Sequence, residues 1–180
     1  MPDFSSTADS SAMRNRVRVA YPTVQWMMGS PARMFAFGFG SGLLRPASGT
    51  WGTLLAWLLW VVIAWLLPDA AIGVVIALGF AYGCWACQRV SKEMGVDDHV
   101  GIVWDEIIAF WLVLWLTPDT FYAQLLAFGL FRFFDIVKPP PIKYFDSKLK
   151  GGFGVMWDDI VAAGYSLLVM AFVVRFGAFQ

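Results

Sequence analysis

Charge is scarce in this 180-residue chain: Asp, Glu, Lys and Arg together make up 14% of it, against 59% hydrophobic residues. A soluble globular domain usually carries about a quarter charged residues, so that class is excluded. Cysteine is nearly missing as well. Cys84 and Cys87 form one C-x-x-C inside an apolar run, with no second pair and no βαβ pattern around it. A disulfide framework or zinc site needs more ligands, which leaves two helix-buried thiols. There is a single histidine, His99, in a polar loop beside Asp97 and Asp98; such a residue is read as a surface group, with proton transfer as the sharper alternative. Formal net charge is zero, so nothing in the overall balance points to a nucleic-acid partner. Internal repeats and low-complexity segments are missing too, and no apolar core follows the basic amino-terminal residues closely enough for a cleavable signal peptide.

What is present is apolar length. With 10 Trp, 16 Phe and a mean hydropathy of +0.64, the composition predicts an all-α, multi-span helical membrane protein. Residues 1–33 read as a flexible polar and basic amino-terminal tail, and residues 34–180 as the helical membrane-embedded domain. Residues 30–54, broken by Gly and Pro, suggest a short or re-entrant interfacial segment. About five apolar helices follow, over residues 51–67, 70–87, 100–116, 121–134 and 155–176, each near the roughly 20 residues that a crossing requires. The fourth is short and needs its polar end to complete a span.

Lys and Arg are distributed unevenly about these runs. With the amino terminus inside, the inner segments collect Arg14, Arg16, Arg18, Arg33, Arg45, Arg89, Lys92, Arg132, Lys138, Lys143, Lys148 and Lys150. The outer turns around Pro68 and Pro118 hold none, and only Arg175 falls outside. The positive-inside rule therefore predicts a cytoplasmic amino terminus.

This topology gathers the remaining polar groups on one side. Asp105 and Glu106 open the third run, Arg132, Asp135 and Lys138 close the fourth, and Asp158 and Asp159 fall in what reads as the first turn of the fifth. Carboxylates near helix amino termini are favoured by the macrodipole, and charged groups within membrane segments are costly without partners. Several carboxylates at one depth need a cation between them, and hard oxygen ligands of this kind suit Mg²⁺ with substrate phosphate. The candidate metal ligands are Asp105, Glu106, Asp135, Asp158 and Asp159. Arg132, Lys138 and Lys143 would meet a phosphate, and Gly49, Thr50, Gly52, Gly151 and Gly152 would lend it backbone N–H groups. Each feature has a plainer reading: helix caps for the acids, an i,i+3 ion pair for Arg132 and Asp135, a stiff connector for Pro139–Pro140–Pro141, and lipid-attracting lysines. Their convergence on one membrane face favours a site for a phosphorylated, membrane-resident substrate.

Four blocks carry a resemblance: GSGLLRPASGTWGTL (residues 40–54), HVGIVWDEIIAFW (99–111), FRFFDIVKPPPIKYFD (131–146) and GGFGVMWDDIVAA (151–163). Together they are similar to the phosphatidylglycerophosphatase A family. That resemblance implies an all-helical, Mg²⁺-dependent lipid phosphatase of bacterial phospholipid synthesis. Its substrate would be phosphatidylglycerophosphate in the inner membrane, hydrolysed to phosphatidylglycerol and phosphate with the site facing the cytoplasm. The motif carboxylates are Asp105, Glu106, Asp135, Asp158 and Asp159, and the motif bases Arg132 and Lys138. Catalysis is expected of Asp105, Glu106, Asp135, Arg132 and Lys138. No D-x-D-x-[TV] or C-x5-R phosphatase motif is present, so metal-activated water is preferred to a covalent intermediate, in which Asp105 would be the first suspect. The D-x-x-D-G-x-x-A-R pattern of phosphoalcohol transferases is missing. A transporter or channel, or a lipid-binding subunit using the same polar cluster, is the alternative; transporter sites usually lie at mid-membrane, which this cluster does not.

Overall fold

The computed structural model describes residues 22–96, 98–140, 149 and 151–177. Among the described residues it is all-helical, with no strands. Two short helices come first, α1 (Val24–Met28) and α2 (Pro31–Ala36), then a 3₁₀ segment (Gly38–Leu43). Five longer helices follow: α3 (Ser48–Leu66), α4 (Asp69–Met94), α5 (Trp104–Trp115), α6 (Phe121–Val137) and α7 (Gly151–Arg175).

Three of these, α3, α4 and α7, are long and apolar enough to cross a membrane. The third expected span behaves differently. α5 has 12 residues, about 18 Å of helix against a hydrocarbon core of about 30 Å. Nine of those residues are buried because α3, α4, α6 and α7 pack around it. A helix that is apolar all round is buried on all sides, and protein rather than lipid covers this one. α6, with 17 residues, reaches about 26 Å.

The packing of α5 rests on two indoles and a row of glycines. Trp104 Nε1–H donates to the Gly79 carbonyl of α4 at 3.0 Å, and Trp111 Nε1–H donates to the Ala56 carbonyl of α3 at 2.9 Å. A Cβ at Gly79 would sit 2.5 Å from Ile108, and one at Gly83 would sit 2.7 Å from Trp104. Small residues at a helix interface let the backbones approach, so α4 lies close along α5.

α7 begins at Gly151, four residues and so about one turn earlier than the sequence reading places it. Asp158 and Asp159 are consequently in its third turn, not its first. The Gly-rich stretch over residues 151–154 is the first turn of this helix. Gly152 lies against the Cys84 carbonyl and Gln88 backbone of α4, where no side chain fits. The expected buried thiols are found on α4: both cysteines are free, Cys87 buried and Cys84 half-buried.

The odd-numbered helices α3, α5 and α7 begin at the end where α4 and α6 finish. That alternation sets two helix starts, one helix end and one deep helical turn around a common cavity.

Candidate active site

α3 opens without a side-chain cap, from Ala47 in the left-handed region at φ 59°. Its first serine turns instead to the loop before α5, where Ser48 Oγ donates to the Val100 carbonyl. That loop is held from both sides. The Val103 N–H donates to the Ala36 carbonyl of α2 at 2.9 Å, and Gly42 meets Gly101 so closely that a Cβ would overlap its carbonyl. His99 is only 1% exposed, its Nδ1 accepting from the Gly101 N–H at 3.0 Å. The sequence reading had put it on the surface; it is a buried brace of the loop that delivers Asp105 and Glu106.

The cavity beneath this loop measures about 330 Å³. Its polar lining comprises Ser48, Thr50, six carboxylates (Asp98, Asp105, Glu106, Asp135, Asp158 and Asp159) and the two bases Arg132 and Lys138, with Gly49 on its wall. α6 contributes its last turns, α5 its first and α7 its third. Arg132 sits among the acids: its Nη1 lies 3.0 Å from Glu106 Oε1, 2.9 Å from Asp135 Oδ2 and 3.4 Å from Thr53 Oγ1. Thr53 in turn donates to the Gly49 carbonyl at 2.9 Å. Lys138 Nζ stands 3.6 Å from Asp158 Oδ2. Lys138 itself occupies the left-handed region at φ 44°, ending α6 just before the prolines. Two non-glycine residues in sparsely populated backbone regions, Ala47 and Lys138, thus flank one cavity, where stored strain is commonly found.

Several polar atoms here are buried with no hydrogen-bond partner: Asp105 Oδ1, Glu106 Oε2, Asp159 Oδ2 and Arg132 Nε. A buried polar group without a partner is costly, and a buried carboxylate oxygen is more so. Glu106, Asp135 and Asp159 each present an oxygen, all within 4.8 Å of one another. Three such atoms, two of them from residues with unpartnered oxygens, form a donor set that fits a hard divalent cation.

The structure therefore brings Asp105, Glu106, Arg132, Asp135, Lys138, Asp158, Asp159, Gly49 and Thr50 to one cavity. Gly52 lies behind it, its Cα so near Glu106 and Val103 that a Cβ would sit 3.0 Å from Glu106 Oε2. Gly49 is tighter still, since a Cβ there would overlap the Glu106 carboxylate. Gly151 and Gly152 are placed elsewhere, against Gln88, whose Oε1 accepts from the Gly152 N–H at 2.8 Å. Lys143 lies outside the described residues. Ser48, which the sequence offers with Thr50 as a possible nucleophile, is a cavity residue. Two contributors escaped the sequence reading: Asp98 lines the cavity and Thr53 steadies Arg132; only the crowding of acids before His99 hinted at the first.

A family model, PgpA: Phosphatidylglycerophosphatase A, matches residues 34–174. The chain belongs to the phosphatidylglycerophosphatase A family. A relative of that name from Haemophilus influenzae is 48% identical over 142 residues, covering 78% of this chain and 87% of its own. Another of the same name, from Escherichia coli, is 40% identical over 147 residues, covering 81% of this chain and 85% of its own. A third, from Bacteroides thetaiotaomicron, is 39% identical over 142 residues, covering 74% and 87%, and its name provisionally makes it a phosphatidylinositol-3-phosphatase. No solved structure matches.

Proposed function

We propose that this protein is a membrane lipid phosphatase that hydrolyses the terminal phosphomonoester of phosphatidylglycerophosphate, giving phosphatidylglycerol and phosphate as a step of phospholipid biosynthesis. The observation that carries this reading is the buried carboxylate cluster around Arg132 at one end of a membrane helix bundle. The names of the Haemophilus influenzae and Escherichia coli relatives supply the substrate. The third relative's name differs in headgroup, which is consistent with a site whose polar groups address the phosphate monoester.

Glu106, Asp135 and Asp159 would hold Mg²⁺, with Asp105 and Asp158 beside them. Bound there, the ion supplies Lewis-acid stabilisation of the phosphoryl oxygens and makes a bound water more acidic. The chain's own groups do the rest. The open start of α3, at Ser48 to Thr50, receives the phosphate with its positive helix end. Arg132 offers its unpartnered Nε–H to a phosphoryl oxygen, and its Nη1 stays clamped to Glu106 and Asp135, so the guanidinium is oriented before substrate arrives. Asp105 Oδ1 takes the proton of the attacking water. The new P–O bond forms as the bond to the glycerol oxygen breaks, and Lys138 at the cavity edge neutralises that leaving oxygen. The cavity faces the cytoplasm in this reading, because the Lys and Arg residues gather at its end of the bundle.

The test is phosphate release from phosphatidylglycerophosphate in detergent, with Mg²⁺ and with chelator. Mg²⁺-dependent release is expected. No release from this lipid in Mg²⁺ sinks the activity, and full release in chelator sinks the metal.

A further inference from the structure

The cavity at the start of α3 and the end of α6 does not stop at its polar groups. Ile136 belongs to its lining and is 69% exposed, so one edge of the site opens onto the bilayer. The same two helices carry a second concavity one to three turns deeper. It is a groove of about 450 Å³ lined by Leu54, Trp57, Leu58 and Val61 of α3, by Phe121 and Gln124 of α6 and, at its outer end, by Asp119, within the size range of ligand pockets. α3 and α6 both pack on α5, and Trp57 spans the gap between them. Its ring stacks with Phe121 and Phe128 at centroid distances of 5.9 and 5.8 Å. Its Nε1–H donates to Gln124 Oε1 at 2.6 Å, while Gln124 Nε2 donates to Asp119 Oδ1 at 2.9 Å. A chain of hydrogen bonds running out to the exposed Asp119 fixes this aromatic surface.

We infer that the groove between α3 and α6 holds an acyl chain of the same lipid whose phosphate sits in the polar cavity. The proposal rests on the phosphatase reading and adds the element that positions the substrate's hydrophobic part. Continuity is the argument. Leu54 to Val61 lie 5 to 12 residues beyond Gly49, about 8 to 18 Å along the helix, which brackets the roughly 15 Å depth of one leaflet. A lipid with its phosphate at Ser48 to Thr50 runs its chain along that face of α3 without bending away. Leu54, Trp57, Leu58, Val61 and Phe121 give the groove a chiefly apolar surface, while Gln124 is tied to Trp57 and Asp119 stands at the outer rim, so the occupant is a hydrocarbon chain.

Two measurements test it. In the first, Leu58→Trp and Val61→Trp fill the groove from positions that face lipid, where the fold tolerates them. With long-chain phosphatidylglycerophosphate their KM is expected to rise about tenfold, with kcat and the turnover of a short-chain, water-soluble analogue unchanged. An equal loss on both substrates, or no change on either, overturns the proposal. In the second, phosphatidylglycerophosphate bearing a diazirine in its acyl chain is cross-linked to the wild-type protein. Labels are expected on residues 54–61 and 121–124, competed by the unlabelled lipid and not by phosphatidylcholine. Labels spread evenly over all lipid-facing helices overturn it. Cross-linking needs no turnover, so a protein that labels in the groove yet releases no phosphate keeps the groove and loses the proposed activity.

Discussion

Arg132 is where most of the site's electrostatics meet. One guanidinium nitrogen serves Glu106 and Asp135 together, and Lys in its place would offer a point charge without the fork. Arg132→Lys is therefore expected to lower kcat about 10²-fold, read as phosphate release, with the protein still extracted as a folded species. The carboxylates make a second prediction, about stability. Glu106, Asp135 and Asp159 crowd their oxygens within 4.8 Å, and like charges at that distance repel. A cation that binds only the folded state adds RT ln(1 + [L]/Kd), about 2.7 kcal/mol at a hundred times Kd. Mg²⁺ should thus raise the Tm of the wild type. Asp159→Asn should lose that rise and, in chelator, melt no lower than the wild type. A wild-type Tm indifferent to Mg²⁺ would count against the ligand set. At this scale the sequence was informative about which acids and bases matter, because so few charged residues interrupt so much hydrocarbon. It was silent on Thr53, whose hydroxyl looks like any other in a helix, and it misplaced His99, since burial of a loop residue depends on α2 and Phe37 packing over it.

Glycine decides how the elements meet. Gly152 presses on the Cys84 carbonyl and Gly154 on Leu149, whereas a Cβ at Gly164 would enter open space. Gly152→Val should push α7 off α4, lowering stability by about 1–3 kcal/mol and shifting Asp158 and Asp159 enough to abolish most activity. Gly164→Ala, on the same helix, should be near neutral in both thermal melting and phosphate release. If the two variants behaved alike, close packing of α7 on α4 would not be what sets the depth of the aspartates. Sequence reading found α3 and α6 within three residues, began α7 four residues late, and ended α4 at residue 87, seven residues short, because the polar face of its last two turns reads as a loop. It could not tell α5 from a span, because hydropathy records an apolar residue but not whether lipid or protein covers it. Glycines pose the same difficulty: GGFG is written alike whether it makes a turn or a close helix contact.

Across the whole molecule, helix alternation puts every acid and base of the cavity at one end and the turns at Pro68 and Pro118 at the other. In a Cys84→Ala, Cys87→Ala background, Asp119→Cys should react with a membrane-impermeant maleimide from outside intact cells, and Arg45→Cys only after permeabilisation. The reverse pattern would invert the proposed orientation. The long helix α4 has a consequence of a different kind. Its 26 residues extend about 39 Å, some 9 Å more than an average hydrocarbon core. Towards that overhang Gln88 accepts from the Gly152 N–H of α7, and beyond it Glu93 is gripped by Arg33 at 2.7 Å and Arg89 at 3.0 Å. Thickening the bilayer would draw these charges toward oil, and the helix would stand more upright or the membrane would thin locally to spare them. Either response acts beside the foot of α7, where Gln88 holds Gly152.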